Sequence, residues 1–264
     1  MTTLIDVATR SLSAEQLRSW REDGFLVLRG FFPAGEIAEA GAEADALLER
    51  HRSLIDAHNL RCRFQPNVRT GVCEFECFDP VIDLSLACHR LAEDAGLLAA
   101  LGDLYGEEAC LFKDKLIYKP PGVKGYDLHQ DYISWPNFPR SFSTVLIPFD
   151  RADLDNGCTE VFPGYHAGGL MTPEDGQFHA LPLARIDESR GVALVLDPGD
   201  VAVFDGFIPH RSAPNRSDRW RRQLYVSYNK VSDGGHQRGR HYEEFHRWLR
   251  VKYAEHGKTE LYYR

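Results

Sequence analysis

From residue 109 onward, short runs of β-branched and aromatic residues alternate with glycine and proline clusters, and this punctuation restricts the fold more than any other feature. The runs are Leu111-Phe112-Lys113, Leu116-Ile117-Tyr118, Thr144-Val145-Leu146-Ile147, Val192 to Leu196, Val201 to Phe204 and Gln223 to Tyr228. Between them stand Pro120-Pro121-Gly122, Asn156-Gly157, Pro163-Gly164 and Asp197-Pro198-Gly199-Asp200. Runs of that length are strand-sized, and the breakers supply turns. The pattern predicts a mainly β protein with flanking helices, whose strands form a double-stranded β-helix (a cupin-like jelly roll) with its core at about 109–230.

The flanks read differently. Ser13-Ala14-Glu15-Gln16 has the form of a capped helix start, and Gly24 suits the helix end. A strand-length run follows over Phe25 to Phe31, then helical spacing over residues 34–51, and a last helix across Tyr242 to Tyr253. Residues 61–80 show no clean period and are interrupted by Pro66 and Gly71, so they fit either a cover over a site or a plain surface connection. At 264 residues, with no repeat, low-complexity stretch or linker, the chain is expected to be one domain over residues 1–264.

Chemistry enters at Leu128-His129-Gln130-Asp131 and at His210, 81 residues beyond His129. Two imidazoles and one carboxylate in a His-x-Asp…His frame form the facial set that binds non-haem Fe(II) and leaves three positions open. Eleven residues after His210 stands Arg221, which a turn and a new strand would bring back beside the metal. Its planar fork suits a carboxylate, and the hydroxyl of Ser212 can add a donor, so a 2-oxo acid fits the vacant positions.

Composition excludes some partners. A net charge of −8 disfavours nucleic acid and anionic membrane, both of which attract basic surfaces. Six cysteines without a C-x-x-C pair point to a reducing compartment, and the sequence shows neither a basic-then-apolar leader nor a long apolar run. The expectation is a cytoplasmic enzyme, monomer or homodimer, with neither membrane nor nucleic acid as partner.

Asp23 to Leu28, Lys119-Pro120-Pro121-Gly122, Leu128 to Asp131, Asp155-Asn156-Gly157-Cys158, Phe162 to His166, Pro198 to Val201 and His210 through Arg221 occur in an order and spacing that resemble the phytanoyl-CoA dioxygenase family of Fe(II)/2-oxoglutarate oxygenases. The resemblance implies that His129, Asp131 and His210 hold iron and that Arg221 and Ser212 hold 2-oxoglutarate. It also puts Trp135 beside the co-substrate, and Tyr118 where some relatives place an asparagine near it. His166 reads as a turn or supporting residue. The implied reaction consumes O2 and 2-oxoglutarate, releases succinate and CO2, and oxidises a substrate C–H bond, by hydroxylation or else by ring closure or desaturation. Asp131 argues against halogenation, whose practitioners lack the carboxylate.

The acidic chain argues against an acyl-CoA, and Asp131 to Asn137 departs from the ectoine hydroxylase motif. A small polar metabolite of a specialised pathway remains, such as an amino acid, an aminophosphonate or a sugar-derived intermediate. Lys113 and Lys115 share one strand face; if that face is internal they can hold an anionic group of the substrate, and if external they are merely solvated. The competing class is a cupin-like metal-binding protein or sugar isomerase, which would have no use for Arg221.

Overall fold

The computed structural model describes residues 11–264. The first helix, α1 (Ala14–Asp23), begins as its sequence implies. Ser13 accepts from the Gln16 backbone at 3.2 Å while the Gln16 side chain accepts from the Ser13 N–H at 2.7 Å, and Gly24 closes the helix at φ +80°. Then follow β1 (Phe25–Leu28), α2 (Ala34–Arg50), β2 (Cys62–Pro66), β3 (Cys73–Phe78), α3 (Leu86–Ala92) and α4 (Ala95–Tyr105). The remainder holds β4 (Ala109–Lys119), β5 (Ser143–Pro148), β6 (Thr159–Val161), β7 (Val192–Ala193), β8 (Val201–Asp205), β9 (His210–Ser212), β10 (Arg221–Lys230) and α5 (Arg238–Glu255).

Seven strands form one sheet in the order β1-β8-β5-β10-β4-β3-β2, and three form another in the order β7-β6-β9, with antiparallel pairing throughout. Leu116, Val145, Ile147, Val203, Leu224 and Val226 point outward onto the helices, joining Ile37, Ala44, Leu47 and Leu101. Their sequence neighbours Ile117, Leu146, Ala202, Phe204 and Tyr225 point inward and meet Val161, Leu194 and Ile208 around the smaller sheet. Burial of both faces explains why Thr144 to Ile147 is apolar without strict alternation. Period-2 geometry therefore assigns every odd residue of the Lys113 to Lys119 stretch to the interior of the β-helix, between the two sheets.

Residues 61–80 are more regular than their sequence suggests. They supply β2 and β3, which pair with each other and, through Cys77 and Phe78, with β4. A register shift between Arg63 and Phe64 breaks the alternation, which is why the period is not visible in the sequence. Strand β7 is shorter than the Val192 to Leu196 run, and α5 begins four residues before Tyr242. All six cysteines are free, and no helix among the described residues is long and apolar enough to cross a membrane.

Candidate active site

An isolated antiparallel bridge joins His129 to the first residue of β9, His210: His129 N–H donates to the His210 carbonyl at 3.0 Å and His210 N–H returns the bond at 2.9 Å. The bridge sets the two rings 4.2 Å apart. His129 Nδ1 lies 2.7 Å from the Asp127 carbonyl and His210 Nδ1 lies 3.1 Å from that of Ile208. A carbonyl oxygen only accepts, so both protons sit on Nδ1 and both Nε2 lone pairs are free for a ligand.

Each Nε2 is 3.6 Å from Asp131 Oδ1, and the three donor atoms lie within 4.8 Å of one another. Asp131 Oδ2 accepts from Thr144 Oγ1 at 2.8 Å, which fixes the rotation of the carboxylate. Burial, then the neighbouring His129, pushes the His210 pKa down to about 4. Burial also works against charge on Asp131, but the His210 and His129 rings and Lys115 hold its pKa far below the usual carboxylate range. Two imidazoles and a carboxylate, convergent and held from behind, fit a divalent iron with open positions.

Arg221 begins β10 opposite Lys119 on β4 and is buried at 1% exposure. Its Nη1 donates to the Gly157 carbonyl, while its Nε has no hydrogen-bond partner among the described residues. A buried guanidinium with an unused donor fits a carboxylate, as the co-substrate requires. Lys119 lies alongside, donating to the carbonyls of Gly157, at 3.0 Å, and Ala213. Burial, then Arg221, lowers its pKa to about 6. Ser212 Oγ lies 3.4 Å from the Lys119 ammonium and accepts from Tyr126 N–H at 3.1 Å. The loops approach closely here: a Cβ at Gly125 would collide with the Ser212 carbonyl, and one at Gly157 with that of Ala213.

A cavity of about 450 Å³ opens over the trio, lined by Lys113, Lys115, Tyr126, Tyr225, Ser212 and Phe178 among others. Behind Asp131 lies a chamber of about 60 Å³ bearing Thr144, Ser227, Phe138, Phe142 and Phe245. Lys113 and Lys115 are therefore internal. Lys113 pairs with the buried Asp79 at 3.1 Å and lies over the Phe245 ring. Burial acts against the Lys115 charge, but Asp131 and other nearby groups outweigh it and raise the pKa.

Tyr118 and Trp135 stand elsewhere than expected. Tyr118 has even parity on β4, so it points outward, and its hydroxyl donates to the Ala44 carbonyl at 2.8 Å in the helical layer. Trp135 donates to the Gly176 carbonyl at 2.8 Å and packs against Phe245 and Trp248 of α5. His166 packs on the end of α1, 3.3 Å from the Arg21 carbonyl, as a turn residue. Arg222 is engaged by Asp150 and Asp45, and Arg219 by Asp153, so neither is free to replace Arg221.

Sequence reasoning missed Lys119, Thr144 and Tyr126, and reached Glu76 only as part of the irregular segment that could cover the site. The parity that pairs Lys113 with Lys115 continues to Lys119, so that signal was present. Glu76, fully buried, accepts from the Tyr126 hydroxyl at 2.7 Å, and burial raises its pKa against the pull of Tyr126, Lys119 and Arg221. Nothing local in the sequence brings it there.

The family model described as phytanoyl-CoA dioxygenase matches residues 20–223. The chain is 28% identical over 225 residues to the 2-aminoethylphosphonate dioxygenase of the uncultured bacterium HF130_AEPn_1, covering 83% of this chain and 82% of that protein. With the methylphosphonate hydroxylase of Gimesia maris it shares 35% identity over 133 residues, 50% of each chain. The structure of EctD from S. alaskensis with bound Fe superposes with a TM-score of 0.67 at 25% identity, over 88% of this chain and 84% of that one.

Proposed function

Since the chain belongs to the phytanoyl-CoA dioxygenase family and is a non-haem iron, 2-oxoglutarate-dependent dioxygenase, we propose that it hydroxylates an unactivated C–H bond of a small polar metabolite. The observation that carries this reading is the convergence of His129, Asp131 and His210 at the cavity, with the unpartnered Nε of Arg221 buried at the end of β10.

In this proposal His129, Asp131 and His210 hold the iron, and Arg221 with Ser212 holds the far carboxylate of 2-oxoglutarate. Iron, 2-oxoglutarate and O2 together supply the oxidant, with succinate and CO2 as by-products. The chain positions and shields. Nδ1–H bonds to backbone carbonyls keep both imidazoles in the ligating tautomer, and Thr144 keeps Asp131 turned toward them. The apolar shell of Ile117, Phe204 and Tyr225 limits water at the reacting end. A volume of about 450 Å³ is at the low end of the roughly 300–1,000 Å³ range of ligand pockets, and it must admit a five-carbon keto acid as well as substrate. That argues for a small substrate.

The test is succinate formation by the protein with Fe(II), 2-oxoglutarate and a panel of amino acids, aminophosphonates and sugar derivatives. We expect substrate-dependent succinate release and a product heavier by one oxygen. A product lighter by two hydrogens would replace hydroxylation with desaturation or ring closure. Absence of stimulated succinate across the panel would remove the small polar metabolite.

A further inference from the structure

Four lysine and arginine side chains line the main cavity: Lys113, Lys115, Lys124 and Arg211. Three are matched to acids. Lys113 pairs with Asp79 at 3.1 Å, Lys124 with Asp127 at 2.9 Å, and Arg211 with Glu160 at 2.5 Å and Glu188 at 2.8 Å. Lys115 makes neither a hydrogen bond nor an ion pair among the described residues, and its ammonium lies 5.2 and 5.9 Å from the ring centroids of Tyr225 and Tyr126. Asp131 acts on it electrostatically, but Oδ1 of that carboxylate faces the two Nε2 atoms and Oδ2 is bonded to Thr144. The half-buried ammonium therefore presents donors to the cavity that no protein acceptor fills, and ring faces supply only part of what a bound anion would.

Position adds a second argument. Lys115 lines both the main cavity and the chamber of about 60 Å³, as do Lys113, Asp131 and Tyr225. That chamber also carries the hydroxyls of Thr144 and Ser227, and its size suits a compact polar group rather than a carbon chain. Arg221 is too far to share the task. Its register partner is Lys119, four residues along β4 from Lys115, or about 13 Å at about 3.3 Å per residue.

We propose that Lys115 recognises an oxyanion on the substrate, a phosphonate or a carboxylate, and thereby restricts the enzyme to small organic anions. The inference rests on the hydroxylase reading and names the substrate class of that same site.

The experiment titrates Fe(II)- and 2-oxoglutarate-loaded enzyme with 2-aminoethylphosphonate, methylphosphonate, 3-aminopropanoate and 3-aminopropanol, which keeps the ammonium and lacks the oxyanion, anaerobically in a calorimeter, with succinate release measured separately in air. We expect at least one anion to bind, 3-aminopropanol to bind at least tenfold more weakly than the matching anion, and the two aminated anions to tell phosphonate from carboxylate. Lys115→Met should weaken anion binding by about 10- to 100-fold with 2-oxoglutarate affinity unchanged, as loss of one charge-assisted contact implies, and Lys115→Arg should retain most of it. Equal binding of 3-aminopropanol and its anionic counterparts by the wild-type protein overturns the inference without any variant, and so does binding of none of the anions. Unaltered anion affinity in a folded Lys115→Met protein overturns it as well. Succinate release stimulated equally by neutral metabolites would leave the hydroxylase reading standing and remove this one.

Discussion

At one end of the β4 and β10 pair, Arg221 faces Lys119 across the register; four residues along, Tyr225 faces Lys115, with Lys113 beyond. Both ends place cations on the inward face, Lys119 and Arg221 fully buried and Lys113 and Lys115 half-buried, and they are held differently. Lys119 is tied to the carbonyls of Gly157 and Ala213 and Arg221 to that of Gly157, so loops fix the cations before any anion arrives. At the other end Lys113 is neutralised by Asp79 while Lys115 is left unmatched. The difference separates a preorganised site for an invariant co-substrate from a wall with one open charge, where substrate choice can be made.

The largest expected effect comes from Asp131, which lines both cavities. Asp131→Ala leaves two neutral imidazoles for a divalent cation, and iron affinity measured by competition with a chelator should fall by more than about 100-fold, with loss of coupled turnover. Retained iron affinity would dissolve the trio.

Arg221→Ala tests the preorganised end. The KM for 2-oxoglutarate should rise by roughly 10- to over 100-fold, corresponding to about 1.5–3 kcal/mol, while iron affinity stays nearly constant. An unchanged KM would move the carboxylate to Lys119.

The Lys113 end offers a pH test. Burial opposes the charge on Asp79, but Lys113 and Arg63 outweigh it and bring its pKa to about 2. A carboxyl with a lowered folded pKa contributes stability that is complete above its unfolded pKa of about 3.9 and is lost as pH falls through the folded value. The contribution should be about 2.5 kcal/mol above about pH 5 and vanish near pH 2. Denaturant unfolding of wild type and Asp79→Asn across that window reads it: a stability difference that does not narrow on acidification would mean Asp79 is uncharged at neutral pH and Lys113 is a second open cation.

The smallest effect is at Thr144. Removing its hydroxyl from Asp131 Oδ2 in Thr144→Val should lower iron affinity by about tenfold, at the low end of the effect of such supporting bonds, with the 2-oxoglutarate KM unmoved. A larger rise in the 2-oxoglutarate KM than in the iron requirement would couple the two ends through the carboxylate.

The fold and the trio were legible because each has a local signature. Strand-length runs between Gly and Pro breakers specify β structure, and a His-x-Asp pair with a distant His and an Arg eleven residues on is hard to meet by accident in one order. The interior location of Lys113 and Lys115 was legible only as an alternative, since alternation says which residues share a face but not which face is inside. Tyr118 and Trp135 show the same limit: even parity on β4 carries one to the helical layer, and α5, more than a hundred residues downstream, captures the other. Strands β2 and β3 were hidden by a bulge that offsets their alternation.

By itself, then, the sequence determined the strand-rich architecture, the two imidazoles and carboxylate, and the arginine at fixed distance from the second histidine, because periodicity, turn chemistry and donor type are properties of neighbouring residues. Only the tertiary structure decided which lysine keeps an unmatched charge, because that depends on acids from other elements: Asp79 from the end of β3 reaches Lys113, while Glu160 and Glu188 take Arg211. Pairing between elements distant in sequence is set by the closure of the sheets on one another, and no local pattern encodes it.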